Sequence, residues 1–118
     1  MQEVVDALKK AALGYPETEE HFPWGESAFK VKGKVFMFMY VAADSVSCTF
    51  KLPESRHMAL SLPFASPTGY GLGKSGWVSC KFPTGSAIPV DLLLEWLDES
   101  YRAVAPKKLA ASVLRRGA

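Results

Sequence analysis

Residues 27–52, SAFKVKGKVFMFMYVAADSVSCTFKL, decide the fold of this 118-residue chain. The stretch holds three runs rich in β-branched and aromatic residues, at 27–31, 35–41 and 46–52. The turns between the runs are short, and the first is built around Gly33. Because parallel pairing would need a crossover of about a dozen residues, runs this close must pair antiparallel. The stretch therefore predicts an antiparallel meander of three strands.

Helices are predicted on both sides of this meander. Residues 2–13 carry apolar side chains at helical spacing, and Pro89 opens a second amphipathic helix that reaches Val104. Shorter segments complete the pattern: helices at 53–62 and 106–116, a strand at 76–82, an acidic loop at 15–26, and a glycine-rich loop or irregular edge strand at 64–76. We expect one α+β domain over residues 1–118, a two-layer sandwich with helices on one face of an antiparallel sheet.

Composition indicates a chain that folds without a partner and stays in the cytoplasm. Apolar residues make up 48% and charged residues 22%. Cys48 and Cys80 lie in apolar strand-like runs, so we expect buried thiols rather than a disulfide. The opening MQEVVDALKKAALG interleaves charges with apolar residues, unlike a secretory signal, and no run is long enough to cross a bilayer.

The net charge of +2 is unevenly distributed along the chain. Residues 1–30 carry −3 and the remainder +5, and from Tyr101 onward basic residues occur without any acid. They are Arg102, Lys107, Lys108, Arg115 and Arg116. Such an end can follow a phosphate backbone, or it can serve as a solubilising helix end that compensates the helix dipole.

Strand alternation predicts what the helix-free face of the sheet carries. Placing the apolar positions of three strands against the helices leaves Lys30, Lys51, Lys81 and Trp77 on the opposite face. The strand at 35–41 is apolar on both sides, so one of two alternating sets also lies there: Phe36, Phe38 and Tyr40, or Val35, Met37, Met39 and Val41. Lysines beside aromatic rings suit a nucleic-acid platform. The alternative is a face covered by the glycine-rich loop or a partner subunit, with Trp77 packed beneath it.

Familiar catalytic and ligand motifs do not fit. GYGLGKS resembles a phosphate-binding loop, but Thr68 stands where its first glycine belongs and a strand follows where a helix is required. The histidines and cysteines lack metal-ligand spacing, and no nucleophile signature occurs. We therefore expect no cofactor, no metal and no enzymatic activity.

The segment around His21 resembles one known family. His21-x-x-Trp24-Gly25 precedes Phe-Lys-Val and a glycine turn into an aromatic strand, and shorter matches continue to 105–109. This pattern is similar to that of the YjbR/MmcQ family of proposed DNA-binding proteins. The resemblance implies a two-layer α-β(3)-α-β(2)-α fold, related in plan to CyaY and to secretion chaperones, and a role in DNA binding. The residues that match the family pattern are His21, Trp24, Lys30, Lys51, Trp77 and Tyr101.

Three functional hypotheses follow, and the first is favoured. It is a nucleic-acid-binding module, monomeric or weakly dimeric, whose DNA partner contacts Lys30, Lys51, Lys81, Trp77, Trp24, His21, Arg102, Lys107 and Lys108. The second is a chaperone-like module with a protein or peptide partner. The third is an enzyme that uses His21 as acid or base on a small ligand.

Overall fold

The computed structural model describes residues 2–22, 25–69 and 71–113. Its elements in chain order are α1 (Gln2–Gly14), β1 (Thr18–His21), β2 (Ser27–Val31), β3 (Lys34–Val41), β4 (Ser45–Lys51), α2 (Arg56–Leu60), β5 (Ala65–Pro67), a 3-10 helix (Leu72–Ser75), β6 (Trp77–Pro83), α3 (Val90–Val104) and α4 (Lys107–Ala111). The predicted α+β class is confirmed.

The strands form one antiparallel sheet in the order β1-β2-β3-β4-β6-β5. Cross-strand partners share a face, and one such row runs Phe29, Met37, Phe50 and Val78, all fully buried. The ring of Phe50 lies 6.3 Å from that of Trp96 on α3, so this row faces the helices. The sheet and the helices therefore form the two layers that the sequence predicts.

A β-bulge in β3 changes the face on which its side chains lie. Phe29 pairs with Met37 whereas Lys30 pairs with Val35, so Phe36 is the extra residue. Phe36 and Met37 are both buried, and Phe36 packs edge-on against Tyr101 of α3 at 5.4 Å. Neither predicted alternation therefore holds along the whole strand. The pairing puts Val35, Phe38 and Tyr40 on the helix-free side and Met37 and Met39 on the core side, where the ring of Phe36 also packs.

A buried serine completes the backbone hydrogen bonding beside the bulge. The β3–β4 register ends at Met37 and Phe50, which leaves the Phe36 carbonyl and the Lys51 N–H as the next facing groups. The hydroxyl of Ser100, on α3 and fully buried, donates to the Phe36 carbonyl and accepts from the Lys51 N–H at 2.8 Å. One side chain thus links α3 to two strands of the sheet.

The structure adds an edge strand where the sequence predicts a loop. β1 lies within the acidic segment 15–26 and pairs with β2 at the border of the sheet. Its burial alternates but none of its side chains is fully buried, so it lacks the apolar signal of a strand. At the other border β5 forms the irregular edge strand that was one prediction for 64–76.

Two predicted helices are shorter than expected. The helix at 53–62 reduces to α2, and 53–55 form a turn whose N–H groups at Glu54 and Ser55 donate to the Glu99 carboxylate. The helix at 106–116 reduces to α4, and residues 114–116 lie outside the described residues. Within the described ranges, no helix has both the length and the apolar character needed to span a bilayer.

Cys48 and Cys80 are free thiols in the core, as predicted. They face one another on β4 and β6. Burial raises the pKa of each thiol to about 12, and the charge of Cys80 contributes to the shift at Cys48.

Candidate nucleic-acid interface

The outer face is the side of the sheet opposite α1 and α3. Strand pairing defines it, because partners of neighbouring strands project to the same side. One row across three strands consists of Tyr40, Ser47 and Lys81, and a parallel row consists of Phe38, Thr49 and Ser79. The outer face comprises Glu19, His21, Ala28, Lys30, Val35, Phe38, Tyr40, Ser45, Ser47, Thr49, Lys51, Ser66, Trp77, Ser79, Lys81 and Pro83.

Three predicted lysines lie on the outer face. Lys30 comes from β2, Lys51 from β4 and Lys81 from β6. Lys81 is exposed, while Lys30 and Lys51 are half-buried, as expected for lysine stems that lie along a sheet. Lys51 and Lys81 lie on adjacent strands but four residues apart in register, an offset of about 13 Å. The prediction from alternation therefore holds for the geometry of all three.

Hydroxyl groups occupy the surface between these cations. The Thr49 and Ser79 oxygens are 3.2 Å apart, and Ser79 lies 2.9 Å from the Thr68 oxygen. Ser47 stands between Tyr40 and Lys81 in its row. Hydroxyls both donate and accept hydrogen bonds, so these side chains can contact phosphate or sugar oxygens.

Trp77 is on the predicted face but is not open to it. The residue is only 9% exposed, and its ring centroid lies 5.8 Å from that of Phe38. The glycine-rich segment with the 3-10 helix contacts β6 here, and Gly76 (φ 93°) lies immediately before Trp77 with its carbonyl accepting from the Leu52 N–H. The prediction that Trp77 is available for stacking is contradicted by this burial. For this residue the packed alternative is the one observed.

Tyr40 is an exposed ring on the outer face that the sequence did not single out. It is 47% exposed, near the end of β3 and two residues from Phe38 on the same face. Alternation alone left its side undecided, because β3 is apolar on both sides and the bulge lies within the strand. The polar pattern of β4 supplies the only sequence signal, since Tyr40 pairs with Ser47.

The described residues include His21 but not Trp24. His21 ends β1 on the outer face, where it is exposed and its Nε2 lies 2.9 Å from the Glu19 carboxylate. Glu19 itself pairs across strands with Lys30, so this border of the face carries both signs of charge. Trp24 lies outside the described residues.

Arg102, Lys107 and Lys108 are in the helix layer, apart from the outer face, and Arg115 and Arg116 lie outside the described residues. Lys107 and Lys108 begin α4, which packs on α3, and both are exposed. Arg102 forms an ion pair with the Asp98 carboxylate at 2.9 Å and donates to the carbonyls of Ala110 and Val113. This guanidinium therefore holds the end of α4, contrary to its predicted role as a free phosphate contact. Helix-end compensation, the alternative reading of these cations, describes Arg102 best.

The remaining family-pattern residue is part of the core. Tyr101 is fully buried, stacks on Tyr15 at 4.4 Å and donates to the Pro16 carbonyl at 3.0 Å. Burial, and then the charge of Glu17, raises the pKa of its phenol.

Beside this cluster a pocket of about 610 Å³ opens between α1 and α3, lined by Ala7, Lys10, Ala11, Gly14, Tyr15, Pro16, Leu94, Asp98 and Val113. Across the described part of the chain, no three His, Cys, Asp or Glu side chains gather as a metal site.

Comparison with known proteins identifies a family and a solved structure of the same fold. A family model described as YjbR matches residues 13–103. The crystal structure of the Deinococcus radiodurans protein DR2400, which carries the family-model domain DUF419, superposes with a TM-score of 0.74 at 25% identity. That alignment covers 97% of this chain and 94% of the other. No curated protein matches.

Proposed function

We propose that this chain, which belongs to the YjbR family, binds nucleic acid through the outer face of its sheet and performs no chemical step. One observation carries the proposal: Lys30, Lys51 and Lys81 come from three different strands onto one face that neither α1 nor α3 covers. Ammonium groups arranged in this way can neutralise successive phosphates.

The character of the surface between the lysines also favours a polyanion. A protein-binding sheet face is expected to be mainly apolar at its centre. Here the row of Phe38, Thr49 and Ser79 carries two hydroxyls beside one apolar ring, and the exposed Tyr40 lies in the next row. Cations, hydroxyls and a ring together correspond to the phosphate, sugar and base of a nucleotide.

We further propose a cytoplasmic place of action. Cys48 and Cys80 are adjacent across two strands and free, which suits a reducing compartment. A nucleic-acid partner is present there.

The proposal is tested by charge reversal on one side of the molecule at a time. Lys51→Glu with Lys81→Glu changes the outer face, and Lys107→Glu with Lys108→Glu changes the helix layer by the same net charge. Fluorescence anisotropy with labelled DNA and RNA at low salt measures the affinity. We expect the first pair to abolish most binding and the second to leave most of it. Three neutralised phosphates predict that log K falls with log salt by a slope of about −2 to −3.

Two results would overturn the proposal. One is the absence of salt-sensitive binding to any single- or double-stranded probe. The other is an equal loss in the two charge-reversed proteins, because a general effect of net charge needs no interface.

A further inference from the structure

We infer that the ligand of the outer face is single-stranded nucleic acid, with an unpaired base stacked on Tyr40. This inference rests on the proposed function and goes beyond it by naming the form of nucleic acid. Three features of the face carry it: an exposed ring beside a cation, the width of the lysine set, and the small number of charges.

Tyr40 and Lys81 occupy the two ends of one cross-strand row. Ser47 lies between them, so the two backbones are separated by two strand spacings, about 10 Å. Tyr40 is 47% exposed, so part of its side chain is accessible to a partner. A base on the ring directs its own backbone across the Ser47 hydroxyl toward the Lys81 ammonium. The row therefore matches one nucleotide and its neighbouring phosphate.

An unpaired base is needed to use this ring. In a duplex both faces of each base are covered by the neighbouring base pairs, so a tyrosine lying on a sheet has no base face to contact. Single strands offer those faces without the cost of unstacking a helix. The exposure of Tyr40 thus contributes to affinity only with a single strand.

The lysines are too widely spread to enter a duplex groove. Lys30 on β2 and Lys81 on β6 are separated by three strand spacings, about 14 Å, on a face formed by four adjacent strands. The major groove of B-DNA is about 12 Å wide and admits a helix or a two-stranded ribbon. A sheet of this width meets a duplex only at its outer phosphates, whereas a flexible single strand can follow the lysines across it.

The charge on the face is also low for a duplex ligand. The outer face carries three lysines, and one of them, Lys30, pairs across strands with Glu19. Phosphate contacts alone then supply a modest, strongly salt-dependent affinity. Base stacking adds a contribution to the binding free energy that salt screens only weakly. A ligand whose bases can stack therefore binds most tightly to this face.

The test compares single strands and the duplex of the same sequence, about 16 nucleotides long, with three proteins. These are the unchanged chain, Tyr40→Ala and Tyr40→Phe, each first shown to be folded by circular dichroism. We expect the unchanged chain to bind the single strand more tightly than the duplex at the same salt. Tyr40→Ala should weaken single-strand binding by about 5- to 150-fold, the value of one stacked base. Tyr40→Phe keeps the ring and should retain most of the affinity, and duplex binding should be unchanged in both.

The outcomes separate this inference from the proposed function. Equal or tighter duplex binding, or single-strand binding that is unaffected by Tyr40→Ala, overturns the inference; the proposed function then still stands if Lys51→Glu with Lys81→Glu abolishes binding. No salt-sensitive binding to either probe overturns both.

Discussion

Replacing Ser100 by alanine should destabilise the fold far more than the loss of one hydroxyl suggests. The hydroxyl serves the Phe36 carbonyl and the Lys51 N–H just beyond the end of the β3–β4 pairing, beside the bulge in the β2–β3 pairing. An unpaired, buried carbonyl costs about 1–3 kcal/mol, and the partly buried N–H adds about 0.5–1.5 kcal/mol. The expected loss is about 1.5–4.5 kcal/mol of the free energy of unfolding.

Urea denaturation of Ser100→Ala measures this loss, and a melting temperature lower by about 10 °C should accompany it. Ser61→Ala is the matched control. Its hydroxyl donates to the Met58 carbonyl three residues earlier but is exposed, so its removal should cost less than about 0.5 kcal/mol. If the two variants lose the same small amount of stability, Ser100 is not the bridge between the helix layer and the bulged strand.

Two further predictions concern the thiols and the buried indole. Burial raises the pKa of Cys48 and of Cys80 from the ordinary cysteine value of 9.0 to about 12, so the unfolded chain releases these protons first as the pH rises. The free energy of unfolding should therefore fall between pH 9 and 12, by at most about 1.4 kcal/mol per pH unit for each thiol, and more weakly in Cys48→Ala; urea titrations at several pH values measure it. Rapid labelling of both native thiols at neutral pH would contradict their burial. Trp77→Ala should cost about 3–5 kcal/mol in urea denaturation, because the indole packs on Phe38 and is nearly covered. Unchanged stability in that variant would indicate an open ring after all.

The faces of three strands could be predicted because each has one clearly apolar side. Alternation in β4 and β6 placed Lys51 and Lys81 correctly, since their neighbours in sequence are buried on the core side. Burial of one face determines register strongly, because a shift of one residue would expose every core side chain. The same reasoning identified both cysteines as core residues.

Three features could not be read from the same pattern. The bulge in β3 leaves no composition signal, because Phe36 and Met37 are both apolar and either could face the core. β1 is short and polar, and only its pairing with β2 makes it a strand. The burial of Trp77 depends on where the glycine-rich segment folds back, which is a tertiary contact.

The residues of the candidate site divide in the same way, into those that the sequence pattern could place and those that it could not. Residues on regular strands were placed by periodicity, whereas the role of Arg102 depends on where α4 packs relative to α3. A run of basic residues near a chain end does not reveal which of them form hydrogen bonds with carbonyls or ion pairs with carboxylates in the fold. Only the position of the helix separates Arg102 from Lys107 and Lys108.

The borders of the sheet bear on how this protein behaves at high concentration. An open sheet ends in backbone groups that another chain could extend into a fibre-like ladder. Here one border is a four-residue strand, TEEH, with acidic side chains, and the other is a three-residue strand that ends in Pro67. Short length, like charges and a missing N–H each oppose docking of a foreign strand. Self-association by sheet growth is therefore disfavoured at both ends, while the broad side of the sheet is left free to meet other molecules.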